Sequence, residues 1–365
     1  MGVHIEVNGT KVIVYGKGMY GLSKPNKVLD VCNSGTLIRL ISGILVAQNF
    51  ECNITGDASI QKRPMQRIID PLKMMSANIS GKDGNLAPLN IKCSQLKGIE
   101  YNLPVPSAQV KSAILLASLY ASSQTIIYEP VPSRDHTEIM LNHLGAHIDN
   151  HSGKIISKPI TELYAKKISI PADISSAAYF LVAGLICENS RITITNVGIN
   201  PTRTGLIDAL RSMGGNINIT NKREICGEWV ADLEVSTSEL VAVEISGDII
   251  PRMIDEIPIF AIAALFADGT TVIKDAQELK VKESDRINSI VTELKKAGAC
   301  IVDHDDGMSI QGGHALHGAE LESYGDHRMA MSLAILGLVV DGIRINDASC
   351  VDVSFPEFFK YIERI

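Results

Sequence analysis

The chain has 365 residues, 45% hydrophobic and 21% charged, and a formal net charge of −7. That length suits two domains with packed cores rather than one, and the acidic balance, with no basic stripe or aromatic-interleaved patch, argues against a general nucleic-acid surface. Apolar stretches are interrupted or too short to span a bilayer, Met1 runs straight into a polar strand, and the seven cysteines form no Cys-x-x-Cys pair; a membrane anchor, a leader, a disulfide framework and a zinc knuckle are all disfavoured, and a cytoplasmic chain with reduced thiols is expected.

In chain order, the first segment, MGVHIEVNG at Met1, is a small residue followed by an alternating strand. The same ending recurs in KMMSANISG at Lys73, NHLGAHIDN at Asn142, RSMGGNINI at Arg211 and KKAGACIVD at Lys295, pivoting on Gly2, Ser76, Gly145, Gly214 and Gly298. These pivots lie roughly 70 to 85 residues apart, a period that decides architecture before any motif does. The last four have a helical stretch before the pivot and the Met1 copy does not, so a repeat whose first helices are cut away is expected.

Each unit opens with a small or polar cluster (Ser34, Ser107, Asp173, Asp255, Gly325) that runs into a dense apolar stretch: Leu37 to Ala47, Ser112 to Ala121, Ala177 to Ile186, Ile259 to Ala267 and Met329 to Val340. Apolar residues on every side of the wheel predict buried helices. A strand follows each of them (Glu51 to Thr55, Thr125 to Tyr128, Arg191 to Thr195, Thr270 to Lys274, Gly342 to Ile345), then a polar loop, then a second, amphipathic helix leading to the pivot. Helix starts rich in Ser, Thr and Asp present free N–H groups and the positive dipole end, and five in register suggest a shared anion site. The polar loops add Lys62, Arg63, Arg134, Arg203, Lys282 and Arg286 at one recurring place, cations suited to phosphates and carboxylates. Taken singly, each could be an ordinary cap or a solvated charge.

LDVCNSGTLIRL at Leu29, GDASIQKRPMQRIIDPL at Gly56, PSAQVKSAILLASLYA at Pro106, SRDHTEIML at Ser133, DISSAAYFLVAGLI at Asp173, IDEIPIFAIAALFADGTT at Ile254, LKVKESDRI at Leu279, YGDHRMAMSLAILGL at Tyr324 and VSFPEFF at Val353 together resemble the 5-enolpyruvylshikimate-3-phosphate synthase family over essentially the whole chain. The resemblance implies a mixed α/β fold, a two-domain inverse α/β barrel of repeated βαβαββ units around buried parallel helices, divided here as residues 1–170 and 171–365, with substrates bound in the cleft between the domains. It also implies transfer of the enolpyruvyl group of phosphoenolpyruvate to the 5-hydroxyl of shikimate 3-phosphate, with no metal or organic cofactor and no nucleic-acid or membrane partner.

By resemblance, phosphoenolpyruvate is held by Gly35, Arg63, Gln109, Arg286 and Arg328, and shikimate 3-phosphate by Ser107, Ala108, Gln109, Arg134, Asp255 and Lys282. Asp255 is expected at the attacked hydroxyl and Glu283 at the methylene carbon, with Lys282 assisting. Glu283 also reads as an ordinary ion pair with Arg286, three residues on, and Asp326 and His327 are expected to orient Arg328. The family's Gly-Ser-Lys-Ser and Asn-Arg segment has no match here, GLSKPNK at Gly21 being a decoy. About 60 N-terminal residues are therefore expected to be absent, giving a catalytically weak chain, or one that needs a separate N-terminal fragment; a complete chain would be a monomer. Val353 stands where some members carry a lysine. The related enzyme acting on UDP-N-acetylglucosamine is disfavoured because the Gly56 to Pro64 loop has Asp57 and no cysteine.

Overall fold

The computed structural model describes residues 1–364. The chain divides into two compact units between Ile168 and Ser169. Each has its own hydrophobic core.

The N-terminal unit contains helices α1 (Gly35–Leu45), α2 (Gln66–Met74), α3 (Ala108–Ser118) and α4 (His136–His143). Its two four-stranded sheets share one plan. In the first, Leu29–Asp30 pairs parallel with Cys52–Thr55, which pairs antiparallel with Leu86–Lys92, which closes a hairpin with Asn78–Lys82. In the second, Glu100–Asn102, Thr125–Tyr128, Lys154–Ser157 and Ile148–His151 repeat that order and those directions. The parallel pair in each sheet requires a crossover, which α1 or α3 supplies, whereas the hairpin needs only a tight turn.

The C-terminal unit contains α5 (Ile174–Ile186), α6 (Gly205–Ser212), α7 (Ile249–Met253), α8 (Ile257–Leu265), α9 (Arg286–Lys296), α10 (His327–Leu336) and α11 (Phe358–Ile362). The same sheet order recurs in Glu244–Ile245, Thr270–Ile273, Gly307–Gln311 and Cys300–His304. It recurs again in Arg191–Gly198, Glu228–Ser236 and Asn216–Ile225, where a single parallel bridge from Ala172 to Val197 stands for the first strand. The apolar stretches become the expected helices; every residue of α8 is buried, as an all-round apolar helix requires. All five pivots take positive φ, from 69° at Ser76 to 100° at Gly145, and at the last four this ends a helix by turning the chain into the following strand.

The Met1 copy differs from the others in burial. In the hairpin of Asn78–Lys82 with Leu86–Lys92, the facing pair Ile79 and Ile91 is 2% and 0% exposed. In His4–Asn8 with Lys11–Tyr15, the facing pairs Ile5–Val14 and Val7–Val12 form one aliphatic face, and all four are more than half exposed. The pattern is the same; no described helix covers it.

Candidate active site

Two charged clusters form, one in each unit, and both are built on helix N-termini. In the N-terminal unit, α1 and α3 approach until a Cβ on Gly43 would stand 2.2 Å from the Ala113 carbonyl, so only glycine fits there. That approach sets their starts side by side. Gln109 Nε2 donates to Thr36 Oγ1 at 2.8 Å, and Gln109 Oε1 accepts a short bond from Arg39 Nη1. Arg63 reaches the same place: a Cβ on Gly35 would lie 3.2 Å from its Nη1 and 3.7 Å from Arg39 Nη1. Arg63 Nη2 also donates to Ser59 Oγ at 3.3 Å. Asp57 holds the turn that aims Arg63, accepting from Asn33 Nδ2 at 2.6 Å and from the Ser59 and Ile60 amides at 3.0 Å. Desolvation would raise its pKa, but the Ile60 amide and the Asn33 side chain outweigh that and hold the carboxyl below its usual range.

Ser34 caps α1 through Leu37 N, whereas Ser107 makes no side-chain cap bond to α3. Gly35, Arg63 and Gln109 thus lie together, with Ser107 as the N-cap of α3 and Ala108 as its first residue. Arg134 lies half-buried in the loop before α4. Lys62 is exposed.

In the C-terminal unit the cluster is a mesh of ion pairs. Arg286, 1% exposed at the start of α9, is gripped from two sides. Its Nε and Nη2 donate to Asp326 Oδ2 and Oδ1 at 2.8 and 3.2 Å, a bidentate pair, and its Nη2 also donates to Glu283 Oε2 at 2.6 Å. Asp255 Oδ1 lies 3.5 Å from Arg286 Nη1 and 3.3 Å from Lys282 Nζ. The Asp255 carbonyl accepts from Arg328 Nη1 at 3.3 Å. Asp255, Lys282, Glu283, Arg286 and Arg328 are therefore one group, and the simple ion-pair reading of Glu283 with Arg286 is realised.

The expectation that Asp326 orients Arg328 needs correction. Its carboxylate clamps the Arg286 side chain, and what it gives Arg328 is a bond to the backbone N–H at 3.0 Å, as N-cap of α10. Burial would raise its pKa, but Arg286 outweighs this and lowers it. His327 goes down as well, through burial first and Arg328 next, and so favours the neutral form.

Several residues here escaped the sequence reading. Glu256, 1% exposed, lies 3.6 Å from Arg328 Nη1 and 3.5 Å from Arg203 Nη2, and it accepts a short bond from Ser175 Oγ. Arg203 stood out as one of the recurring cations but not as part of this group. Arg39 carried a usable signal: four residues after Gly35 on α1, it shares that face of the helix.

The comparisons with known proteins decide what this arrangement belongs to. The family model for EPSP synthase (3-phosphoshikimate 1-carboxyvinyltransferase) matches residues 1–362. The chain belongs to the EPSP synthase family. It is 54% identical to the 3-phosphoshikimate 1-carboxyvinyltransferase of Thermoanaerobacter sp. (strain X514) and 52% identical to that of Alkaliphilus metalliredigens, in both cases over 100% of this chain and 86% of the relative. Among solved structures, EPSP synthase from Acinetobacter baumannii superposes with a TM-score of 0.90 at 43% identity, over 100% of this chain and 84% of that one. The enolpyruvyl transferase NikO from Streptomyces tendae shares the fold, with a TM-score of 0.77 at 15% identity. The two-domain inverse α/β fold and the transferase class expected from the sequence are borne out. The matches support the transferase reading and not the catalytically weak alternative. Among the described residues, no helix is long and apolar enough to cross a membrane.

Proposed function

We propose that this EPSP synthase family member transfers the enolpyruvyl group of phosphoenolpyruvate to the 5-hydroxyl of shikimate 3-phosphate, releasing phosphate. The observation that carries the reading is the Asp255 carboxylate, which shares one oxygen with Lys282 and Arg286 beside Glu283 and Arg328. Two anionic substrates repel each other, and preformed cations such as Lys282, Arg286 and Arg328, already held in place by carboxylates, offset that repulsion with little reorganisation during the reaction.

Asp255 accepts the proton of the 5-hydroxyl as its oxygen bonds to the central carbon of phosphoenolpyruvate, and the methylene carbon takes a proton from the acid form of Glu283. The tetrahedral adduct then loses phosphate, whose departing oxygen takes the proton held by Asp255, while Glu283 recovers the methyl proton, restoring the double bond and both carboxyl groups. Arg286 pairs with Glu283 at 2.6 Å and so steadies its carboxylate form between the two transfers. Proton transfer and charge stabilisation suffice for this sequence, and under this reading neither a metal nor an organic cofactor supplies a step.

Incubating the chain with both substrates should release phosphate and form 5-enolpyruvylshikimate 3-phosphate by mass spectrometry, whereas Asp255→Ala should do so at least about 100-fold more slowly. Product formed from UDP-N-acetylglucosamine instead would sink the assignment.

A further inference from the structure

Lys111 has no place in the chemistry above, yet among the described residues it is the one lysine that is 0% exposed, on the buried side of α3. Its ammonium donates to Glu129 Oε2 at 2.9 Å and to the Ser133 carbonyl at 3.3 Å, and it forms an ion pair with Glu138 Oε1 at 2.8 Å. Ser133 Oγ in turn donates a short bond to Glu129. One residue further along α3, Ser112 Oγ lies 2.6 Å from Thr137 Oγ1. Both links join α3, one turn after its Ser107 cap, to the segment that carries Arg134. Burying an ammonium and two carboxylates costs several kcal/mol of desolvation per ion, and apolar residues of the same volume commonly serve stability as well or better. The network therefore calls for a purpose beyond stability, and the segment it holds supplies one.

We propose that Lys111 is a positioning residue: it locks the Ser133–Arg134 segment to the start of α3, so that Arg134, Ser107 and Gln109 act as one rigid surface for the anionic groups of shikimate 3-phosphate. This rests on the reading of Arg134 and Ser107 as ligands of that substrate. Arg134 sits on a loop, and a clamp set on a loop binds in proportion to how well its support fixes it.

The test replaces the whole charged network with neutral residues of similar shape, Lys111→Met with Glu129→Gln and Glu138→Gln, in the full chain, and measures binding of shikimate 3-phosphate and of phosphoenolpyruvate separately by calorimetry. The expected result is a folded protein with an unchanged or higher melting temperature. Its affinity for shikimate 3-phosphate should be roughly 10- to 100-fold weaker, and that for phosphoenolpyruvate within about threefold. Glu138→Gln alone, which keeps the bond from Lys111 to Ser133, should leave both affinities within about threefold. A folded triple variant with near-native shikimate 3-phosphate affinity, or with equal losses for both ligands, overturns the proposal. If the triple variant does not fold, Ser112→Ala with Thr137→Val cuts the second link, and an unchanged affinity there overturns it equally. Arg134→Gln separates the two levels. If it leaves binding intact, the ligand reading fails; if it weakens binding while the folded triple variant does not, the ligand reading stands and the positioning role fails.

Discussion

The two arginine clusters solve one problem by opposite means. In the N-terminal unit, Arg39 and Arg63 are placed by short neutral groups, an amide oxygen and a hydroxyl, at helix starts brought together by Gly43. In the C-terminal unit, Arg286 is sunk to 1% exposure and held by a carboxylate, Asp326, that is itself 0% exposed. Arg39 is only 8% exposed, but Arg63 is partly open, and hydrogen-bonded placement such as its own can be undone with little effect on folding. A buried ion pair cannot, because removing one partner leaves the other charge without compensation. The difference teaches that clusters which look alike in sequence can be coupled to stability to very different degrees.

The largest effect that would break or sharpen this comparison is expected at Asp326. Replacing it with alanine should cost the C-terminal unit about 3–5 kcal/mol, read by denaturant unfolding with hydrogen exchange resolved along the chain, and should weaken substrate binding as well. Arg63→Gln should do the reverse. It is expected to leave unfolding within about 0.5 kcal/mol of native while costing roughly 2–5 kcal/mol in phosphoenolpyruvate binding by calorimetry. A strongly destabilised Arg63 variant would erase the contrast.

Gly35→Ala sits between these. Its Cβ would press on Arg63 Nη1 at 3.2 Å, so phosphoenolpyruvate binding should weaken by about 1 kcal/mol. Alanine also favours the helix over glycine, so the melting temperature should hold or rise slightly.

The smallest effect is in pH. His327 has a lowered pKa in the fold, so the unfolded chain binds its proton more readily; its contribution is present above the unfolded value and lost as pH falls below about 6.5. Asp326, also lowered, adds a further loss nearer pH 4. Glu138 in the N-terminal unit is raised, by burial that outweighs Lys111, so acidification relieves a strain there. Between pH 7 and 5 the C-terminal unit should therefore lose protection from exchange before the N-terminal unit, and His327→Gln should flatten that loss. Parallel losses in the two units would contradict this.

Much of the fold was legible in the sequence because it was written locally. Ile257–Leu265 is apolar on all sides, and Thr125–Tyr128 is a short β-prone run bounded by polar turns. What stayed hidden were charges whose meaning depends on distant partners. Arg39 and Lys111 were passed over in the sequence, and they gain meaning only once Gln109, Glu129 and Glu138 come into place around them. The role of Asp326 was misassigned because adjacency in sequence favours Arg328, whereas Arg286 is 40 residues away in the chain and only 2.8 Å away in space.

The sequence by itself determined the repeat, the buried helices, the pivots and the kinds of residue at each helix start, because hydrophobic period and backbone preference belong to a segment's own side chains. The tertiary structure alone decided which charges pair, which are buried, and that the first hairpin's aliphatic face stands in the open while its counterparts do not. Burial and ion pairing depend on what packs against a residue, and no residue carries that information alone.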